Sequence, residues 1–482
     1  MTPQQKPDDE DLAALLAPDI LELLASSPAS VAAETAELHP ADLADVAEAL
    51  PRESLPAFLA ALPHERAADV LEYLDEDIRT ALLESMTTEQ AAPLVAQMDP
   101  DERADALDDV DEETADDILE AIPEATRLET ERLLEFEPET AGGLMTTEVV
   151  SVLETDTVES ALTHVRAVAR GGRREAMNTI YTTNAAGELV GVLSLRELLA
   201  AAEGARIQEI AWTEVQHVLS SADREEVARM VTEYDLVAVP VVDEHGRLLG
   251  AVTVDDVIDA IEEEQTEDVQ KLGGMAALDD PYMQTGFLAL LKKRAGWLAV
   301  LFIGEMFTAS AMGYFETELQ RATVLMLFVP LIISSGGNSG SQATSLIIRS
   351  LALGEATLSD WWRVAIRELS SGLALGGILG TLGALRVLAW QALDGSGVHI
   401  GSLVIGYNYG PNYMLVAITV GLTLVGVVTF GTLVGSMLPF LLRRIGFDPA
   451  SASAPFVATL VDVTGLVIYF TVALLVLRGT LL

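Results

Sequence analysis

A chain of 482 residues with a formal net charge of −46 is too long for one ordinary domain and too acidic for a nucleic-acid-binding protein. The charge is uneven: residues 1–270 hold 63 of the 74 acidic residues and 16 of the 28 basic ones, whereas residues 271–482 are nearly neutral. The absence of Cys excludes disulfides, thiolate catalysis and Cys-ligated metals. This composition indicates an acidic soluble module followed by a membrane module.

The basic residues are almost all arginine, since only Lys6, Lys271, Lys292 and Lys293 are lysines. A lysine-poor, strongly acidic module is typical of a halophilic cytoplasm, where the Debye length falls to about 3 Å at 1 M salt. Acidic clusters are therefore weaker indicators of metal sites in this chain. The N-terminus lacks a basic-then-apolar leader, so the soluble module is expected to stay in the cytoplasm.

After an acidic N-terminal segment (1–37), residues 38–141 are predicted to form a superhelical stack of short amphipathic helices. Helix-start signals recur about every 24 residues, at Pro40, Pro63, Thr87 and Asp111. Proline in a first helical turn with Asp or Glu behind it is typical of helix N-termini. No catalytic constellation lies in this region, which predicts a scaffold or a sensor.

Two strand–turn–strand patterns follow, at 180–194 and 238–253, each with a helix behind it. They resemble a tandem pair of CBS domains, predicted at 142–203 and 204–264. Thr253 and Asp256 match the Thr-x-x-Asp pattern with which CBS domains hold a nucleotide ribose, so ATP is a candidate ligand. The alternative is that Thr253 caps the following helix.

A connecting region (255–290) overlaps the end of the second copy. From Asp255 to Asp268 it carries eight acids and no base. One stripe of the predicted helix carries Asp256, Asp259, Glu263 and Glu267, and like charges four residues apart repel. Divalent cations bound between this stripe and other acidic faces would relieve the repulsion, although a merely solvated acidic helix is the alternative in a halophilic chain.

The remaining residues (291–482) contain five apolar segments long enough to span a bilayer. They lie near residues 295–315, 323–348, 364–389, 412–440 and 452–477. Positive charges cluster before the first, between the second and third, and between the fourth and fifth segments. This distribution predicts a cytoplasmic N-terminus and an extracellular C-terminus.

The second segment contains Gly-Gly-Asn-Ser-Gly-Ser-Gln, from Gly336 to Gln342. Small residues permit close helix packing, or expose backbone carbonyls where a helix is interrupted beside water. Asn338 and Gln342 share one helical face, so a close-packed helix pair with satisfied amides is an equal alternative.

The fifth segment contains one carboxylate, Asp462. A charge at mid-membrane costs about 2.5–3.5 kcal/mol even on the lenient insertion scale, so it usually faces a bundle interior or a wet path. A cation pathway is predicted, the alternative being a protonated packing residue. Glu305, in the first segment, is a second intramembrane acid.

Together, the glycine-rich motif, Gly446-Phe-Asp448-Pro449-Ala450 and Pro455-Phe-Val-Ala-Thr-Leu-Val-Asp462 resemble the MgtE family of magnesium channels. The domain order agrees with that family. The resemblance implies a homodimeric, Mg²⁺-selective channel whose cytoplasmic domains sense intracellular Mg²⁺ and close the pore. One Asp per chain on a two-fold axis would supply two negative charges, matching a hydrated Mg²⁺.

The resemblance also implies roles for particular residues. Asp462 is the expected pore carboxylate, Ala458 a small lining residue one turn before it, and Asp448 an acid at the cytoplasmic end of the last span. Many members have Asn at the position of Ala454, where only a backbone carbonyl remains. The residues expected at the pore are Asp462, Ala458, Asn338, Gly336, Gly337, Asp448 and Ala454, and those expected to sense Mg²⁺ are Asp256, Asp259, Glu264, Glu267 and Asp268.

The sequence therefore predicts a Mg²⁺ channel of the cytoplasmic membrane, closed by internal Mg²⁺, with Mg²⁺, the lipid bilayer and a second copy of the chain as partners. A secondary transporter coupled to Na⁺ or H⁺ is the alternative, although five dissimilar spans do not form an obvious inverted repeat. An enzyme is not expected, because no nucleophile–base or metal-ligand set is present.

Overall fold

The structure is a computed structural model, and it describes residues 9–170, 176–202, 204–278, 282–283, 285–394, 399–400, 403–404 and 406–481. The chain divides into two compact units, residues 1–262 and 263–482. The predicted fold class is confirmed: a helical N-terminal region, an α/β pair and five long apolar helices follow one another.

The helices of the first unit are α1 (Asp9–Ser26), α2 (Val31–Glu34), α3 (Pro40–Glu48), α4 (Leu55–Ala60), α5 (His64–Glu72), α6 (Glu76–Ser85), α7 (Thr88–Val95), α8 (Pro100–Asp108), α9 (Glu112–Ala121), α10 (Glu124–Leu133), α11 (Val158–Arg170), α12 (Leu195–Ala200), α13 (Ile207–Ile210) and α14 (Arg224–Tyr234). Its strands are β1 (Val149–Leu153), β2 (Ala176–Thr183), β3 (Leu189–Ser194), β4 (Val218–Leu219), β5 (Ala238–Val242) and β6 (Leu248–Thr253). Helix α15 (Val254–Leu272) begins in the first unit and ends in the second.

The second unit contains α16 (Phe287–Tyr314), α17 (Glu316–Arg321), α18 (Val329–Ala352), α19 (Trp361–Leu393), α20 (Tyr413–Arg444) and α21 (Ala454–Leu477). A two-stranded antiparallel ribbon, β7 (His399–Ile400) with β8 (Leu403–Val404), lies between α19 and α20. Short 3₁₀ turns precede α18 and α19 and join α20 to α21, at Thr323–Phe328, Leu358–Asp360 and Pro449–Ser451.

The 24-residue period of the helical region is confirmed, since each predicted opening begins a helix and each of these helices is followed by a second one. Ala47, Leu71 and Val95, at equivalent positions of α3, α5 and α7, are fully buried. Polar contacts repeat as well: Glu48 Oε1 accepts from the Asp75 amide at 2.9 Å, and Glu72 Oε1 accepts from the Asp99 amide at 2.8 Å. The repeat is therefore a structural unit, with one apolar face and one carboxylate that caps the next pair of helices.

Both predicted hairpins are present in the α/β pair. Strand β2 runs antiparallel to β3 and parallel to β1, and β5 has the same relation to β6 and β4. The two hairpin turns pair with each other, because the Leu189 amide donates to the Gly246 carbonyl at 2.9 Å and the Leu248 amide to the Gly187 carbonyl at 3.1 Å. Helix α15, which carries the acidic run of the connecting region, extends to Leu272.

The five predicted spans are confirmed as five apolar helices, although the first begins earlier, at Phe287, and the third extends from Leu358 to Leu393. They differ in burial. Half of the apolar stretch of α20 is buried within the chain, whereas only 6% of that of α16 is. Helices α18, α20 and α21 form the centre of the second unit, and α16 packs on its outside against α21.

The glycine-rich motif lies in an uninterrupted helix, α18. A Cβ placed on Gly336 would lie 2.5 Å from Val427 Cγ1 of α20 and 2.7 Å from Val461 Cγ1 of α21, so only glycine fits there. About two turns later, Thr344 Oγ1 donates to the Gly435 carbonyl of α20 at 2.9 Å. Close helix packing, one of the two interpretations of this motif, is thus what the structure shows for Gly336.

Candidate functional site

Asp462 lies in the third turn of α21, about 12 Å from the helix start at a rise of about 1.5 Å per residue. The start of α21 is fixed by Ser453, whose Oγ accepts from the Phe456 amide at 3.3 Å and from Trp297 Nε1 of α16 at 3.1 Å. The Asp462 side chain is half-buried within the chain. Its position is therefore set by a capped, packed helix.

The Asp462 carboxyl lies within hydrogen-bonding reach of the Glu305 carboxyl of α16. The two helices approach closely here because residue 304 is glycine; a Cβ on Gly304 would lie 2.8 Å from Thr459 Cγ2. In the described part of the chain, no Lys or Arg pairs with either carboxyl. Neighbouring carboxylates repel each other, and a cation bound between them relieves that repulsion. The structure thus brings together the two intramembrane acids noted in the sequence.

The small residues around Asp462 divide into two groups. Gly337 faces Ala458 of α21, with the Ala458 Cβ 3.4 Å from the position that a Cβ of Gly337 would take. Gly336 is turned towards α20 and packs there, as described above. Asn338 lies on an exposed side of α18, and its Nδ2 donates to Ser334 Oγ at 3.4 Å. Gly337 and Ala458 are therefore the predicted small residues that meet between α18 and α21.

Ala454 begins α21, and its carbonyl accepts a hydrogen bond from Ser341 Oγ of α18 at 3.2 Å. The sequence indicated that this backbone carbonyl could replace the side-chain amide that many members have at position 454. Ser341, within the glycine-rich motif, orients it, which sequence reasoning did not indicate.

Asp448 lies between α20 and α21, where its Oδ1 accepts from the Ala450 amide at 2.8 Å. Its Oδ2 lies 2.7 Å from Lys271 Nζ, and the same ammonium lies 2.5 Å from Glu267 Oε1. Burial, followed by the charges of Asp448 and Glu264, raises the pKa of Asp268 to about 6. The last turns of α15 thus meet the loop before α21 as a cluster of carboxylates around one lysine.

The other end of α15 lies among acids of the helical region. Thr253 Oγ1 and the Thr253 amide both donate to Asp256 Oδ2, which is the arrangement of a capping pair. The charge of Asp256 acts on Glu102 and Asp105 of α8. Asp259 is exposed one turn further along α15. The predicted sensing residues are therefore divided, with Asp256 and Asp259 in the first unit and Glu264, Glu267 and Asp268 in the second.

Several carboxyls of the first unit have a pKa above the usual value of an acidic side chain. Burial is the main reason that the pKa rises to about 7 for Glu102 and to about 6 for Asp256. The pKa of Asp105 is also raised, although its side chain is partly open to solvent. The Arg79 guanidinium, 3.5 Å from Glu102, opposes this rise, and neighbouring carboxylates add to it. Among the residues that the structure describes, no three His, Asp or Glu side chains are arranged to hold a metal directly. The set fits Mg²⁺ only through its retained waters, the mode this ion commonly uses.

These pKa shifts predict how the stability of the first unit depends on pH. Carboxyls whose folded pKa lies near 7, above the unfolded value near 4, bind more protons when folded, so stability is lost as pH rises through 7. Thermal unfolding of residues 1–262 should show a melting temperature that falls from pH 5.5 to 8.5 by at least about 2–4 °C. Glu102→Gln, at a half-buried position, should reduce this dependence, whereas Asp117→Asn, at an exposed position of α9, should leave it unchanged. A melting temperature that rises over this range would contradict the prediction.

Sequence reasoning missed three partners of the predicted residues. Lys271 lies three residues beyond the acidic run and was counted only as a basic residue. Glu102 and Asp105 lie in a helical region where acids are common, so the sequence did not distinguish them from the other acids. The signal available for Lys271 was its spacing from Glu267, which places the two side chains on one helical face.

Comparison with known proteins agrees with this architecture. A family model described as a divalent cation transporter, MgtE, matches residues 329–472; the MgtE intracellular N domain matches 38–139, and the CBS domain matches 141–204 and 207–263. The magnesium transporter MgtE of Thermus thermophilus is 44% identical over 354 residues, covering 73% of this chain and 74% of that protein. The magnesium transporter MgtE of Enterococcus faecalis is 34% identical over 350 residues, covering 73% of this chain and 72% of that protein.

Among solved structures, the soluble part of a magnesium transporter is similar, with 32% identity, a TM-score of 0.49, and coverage of 53% of this chain and 99% of that one. The cytosolic domain of the Mg²⁺ channel MgtE in complex with ATP is also similar, with 37% identity, a TM-score of 0.48, and coverage of 51% and 99%.

A helical domain and a CBS pair followed by five apolar helices define a multi-pass transport protein of the cell membrane. The chain belongs to the MgtE family of magnesium transporters.

Proposed function

We propose that the chain is a Mg²⁺-selective channel through which Mg²⁺ enters the cell down its electrochemical gradient, and that intracellular Mg²⁺ closes it. The observation that carries this proposal is the pair of intramembrane carboxyls, Asp462 and Glu305, with no basic partner in the described residues. Fixed negative charge inside a membrane that lacks a fixed cation is typical of a cation pathway.

The pathway is proposed to form between two copies of the chain. One Asp462 from each copy, facing a common axis, would match the double charge of a hydrated Mg²⁺. The exposed face of Asn338 and the largely exposed α16 are the surfaces of this chain that a second copy can cover. The small residues Gly337 and Ala458 leave room for the water shell, because Mg²⁺ dehydrates reluctantly.

Closure is proposed to follow from the acids of the cytoplasmic module. Glu102, Asp105 and Asp256 repel one another in the compact arrangement, so cations bound among them favour that arrangement over a looser one. Asp259, Glu264, Glu267 and Asp268 are proposed to contribute from the rest of α15. Net negative charge thus makes the compact state depend on Mg²⁺ concentration, which gives negative feedback on influx.

Three finer assignments are part of the same proposal. The N-terminus is cytoplasmic and the C-terminus extracellular, because the basic residues flank the proposed inner ends of the spans. The domains comprise 1–37, 38–141, 142–203, 204–264, the connecting region 255–290, and 291–482. ATP binding at Thr253 and Asp256 requires these side chains to leave their capping pair.

The second candidate function is a secondary transporter coupled to Na⁺ or H⁺. The paired carboxyls favour it, since a site that alternates between Mg²⁺ and a driving ion needs such groups.

Purified protein in liposomes distinguishes the two functions. We expect Mg²⁺ uptake to follow the Mg²⁺ gradient and voltage alone, with unitary currents in planar bilayers. Imposed Na⁺ or H⁺ gradients at fixed Mg²⁺ potential should leave uptake unchanged. Uptake that scales with either gradient, without unitary currents, would replace the channel by the coupled transporter.

A further inference from the structure

The end of α15 is attached to the loop between α20 and α21 by one lysine. Lys271 Nζ lies 2.5 Å from Glu267 Oε1 and 2.7 Å from Asp448 Oδ2. The exposed fraction is 26% for the Lys271 side chain, 23% for Glu267 and 37% for Asp448. Water therefore shields these charges only in part. Charge-assisted hydrogen bonds of this length are among the stronger ones in proteins. Burial acts to lower the pKa of Lys271, but the bonds to Asp448 and Glu267 outweigh it and raise the pKa, so the ammonium stays charged.

Apolar contacts continue the attachment beyond the ion pairs. Leu272 packs against the apolar cluster that Ala450 and Ala452 of the same loop form with Ile348. The chain then turns at Gly274 (φ +78°), where a Cβ would lie 3.0 Å from the Trp297 ring. Lys271 is therefore part of a docked segment, not a freely moving surface side chain.

The carboxylates joined by Lys271 are among those that the sequence assigned to Mg²⁺. Glu267 belongs to the predicted sensing set, and Asp448 to the predicted pore set. Mg²⁺ would reach them mostly through its waters, whereas the ammonium reaches two of them directly and is part of the helix itself. A lysine at this point can therefore perform the bridging role of a divalent ion at any Mg²⁺ concentration.

We propose that Lys271 is a tethered cation that joins Glu267 to Asp448 in place of a metal and keeps the end of α15 docked on the α20–α21 loop when Mg²⁺ is scarce. Lys271 is then a positioning residue, and it sets how much Mg²⁺ the docked state needs. The docking claim stands apart from ion flux; only its consequence for gating rests on the proposed function.

Docking can be measured without flux because the chain contains no Cys. Leu272→Cys with Ala450→Cys, in the full-length protein, gives a pair that a short bifunctional thiosulfonate cross-links when the segment is docked. We expect Lys271→Gln to slow cross-linking about fivefold in EDTA, the effect of a partly exposed ion pair of about 1 kcal/mol. Added Mg²⁺ should restore the rate. Lys271→Arg should cross-link like the parent, as should the matched control Lys292→Gln.

Two results would overturn the proposal. Equal rates for Lys271→Gln and its parent in EDTA would show that the lysine does not hold the segment. A slow rate that Mg²⁺ does not restore would show that the lysine acts through its shape, not as a cation.

The flux measurement separates this proposal from the gating proposal. If both are correct, Lys271→Gln raises the Mg²⁺ concentration that half-closes the channel. If cross-linking changes as expected while the closing concentration does not, docking by Lys271 stands and gating through α15 fails.

Discussion

Alanine at position 462 is expected to abolish Mg²⁺-selective flux. A carboxylate and a unit positive charge about 5 Å apart interact by about 3 kcal/mol at an effective dielectric constant of 20, and Mg²⁺ carries two charges. Loss of this attraction between the carboxylate and the ion should reduce Mg²⁺ permeation by more than about a hundredfold. Mg²⁺ uptake into liposomes, with single-channel recording against K⁺, measures both the rate and the selectivity.

A series of variants separates charge from shape at this position. Asp462→Asn should behave like Asp462→Ala, because it keeps the size and removes the charge, whereas Asp462→Glu should retain part of the selectivity. Glu368→Gln, at a half-buried carboxyl in α19, is the matched control and should leave flux near the parent value. Parental selectivity in Asp462→Asn would remove this residue from the selectivity filter.

Neutralising Glu305 should reduce Mg²⁺ flux less than neutralising Asp462 does, but more than neutralising Glu368 does. Its carboxyl touches Asp462 from α16, so Glu305→Gln leaves Asp462 with an amide neighbour instead of a second carboxyl. Mg²⁺ flux should persist at a reduced level.

The fold followed from local signals in the sequence. The openings at Pro40, Pro63, Thr87 and Asp111 are helix-start signals that act within one turn, and the two hairpins have strong turn residues between alternating strands. The five apolar helices were recognised by length and composition. Such features depend on neighbours in sequence, which is why their number and order were correct while ends shifted by several residues.

The site depended on contacts between distant segments, which a single sequence does not specify. Gly336 and Gly337 are adjacent in a glycine-rich motif, yet one packs on α20 and the other faces Ala458. Helix α16 is apolar on nearly every side, so its pattern did not show that Glu305 points to Asp462. Four spans separate Lys271 from Asp448 in the sequence. Pairing across such distances is decided by tertiary packing.

The charges of the two units have one feature in common. In each, carboxylates are brought together around a single basic residue, Arg79 in the first unit and Lys271 in the second. One fixed cation per cluster is too few to neutralise it. Each cluster is therefore stable enough to form and yet sensitive to the concentration of cations in solution.

Neutralising the acids of the first unit is expected to weaken closure by Mg²⁺. The triple variant Glu102→Gln, Asp105→Asn, Asp256→Asn removes the repulsion that bound cations relieve, so Mg²⁺ no longer distinguishes the compact arrangement from the loose one. A coupling of about 1–3 kcal/mol corresponds to a shift of about 5–150-fold in the closing concentration. Open probability in patches exposed to graded internal Mg²⁺ measures this shift. Asp117→Asn, an exposed acid on the neighbouring helix α9, should leave the closing concentration unchanged.

Removal of residues 1–262 provides the complementary result, because it leaves the second unit whole. The shortened protein should conduct at internal Mg²⁺ concentrations that close the full chain. If it closes at the same concentration, sensing resides in the second unit, where Glu264, Glu267 and Asp268 are the remaining candidates. If it stays open while the triple variant closes normally, the sensor lies in the first unit but on other acids. The two variants together thus assign sensing to one unit and, within the first, to one cluster.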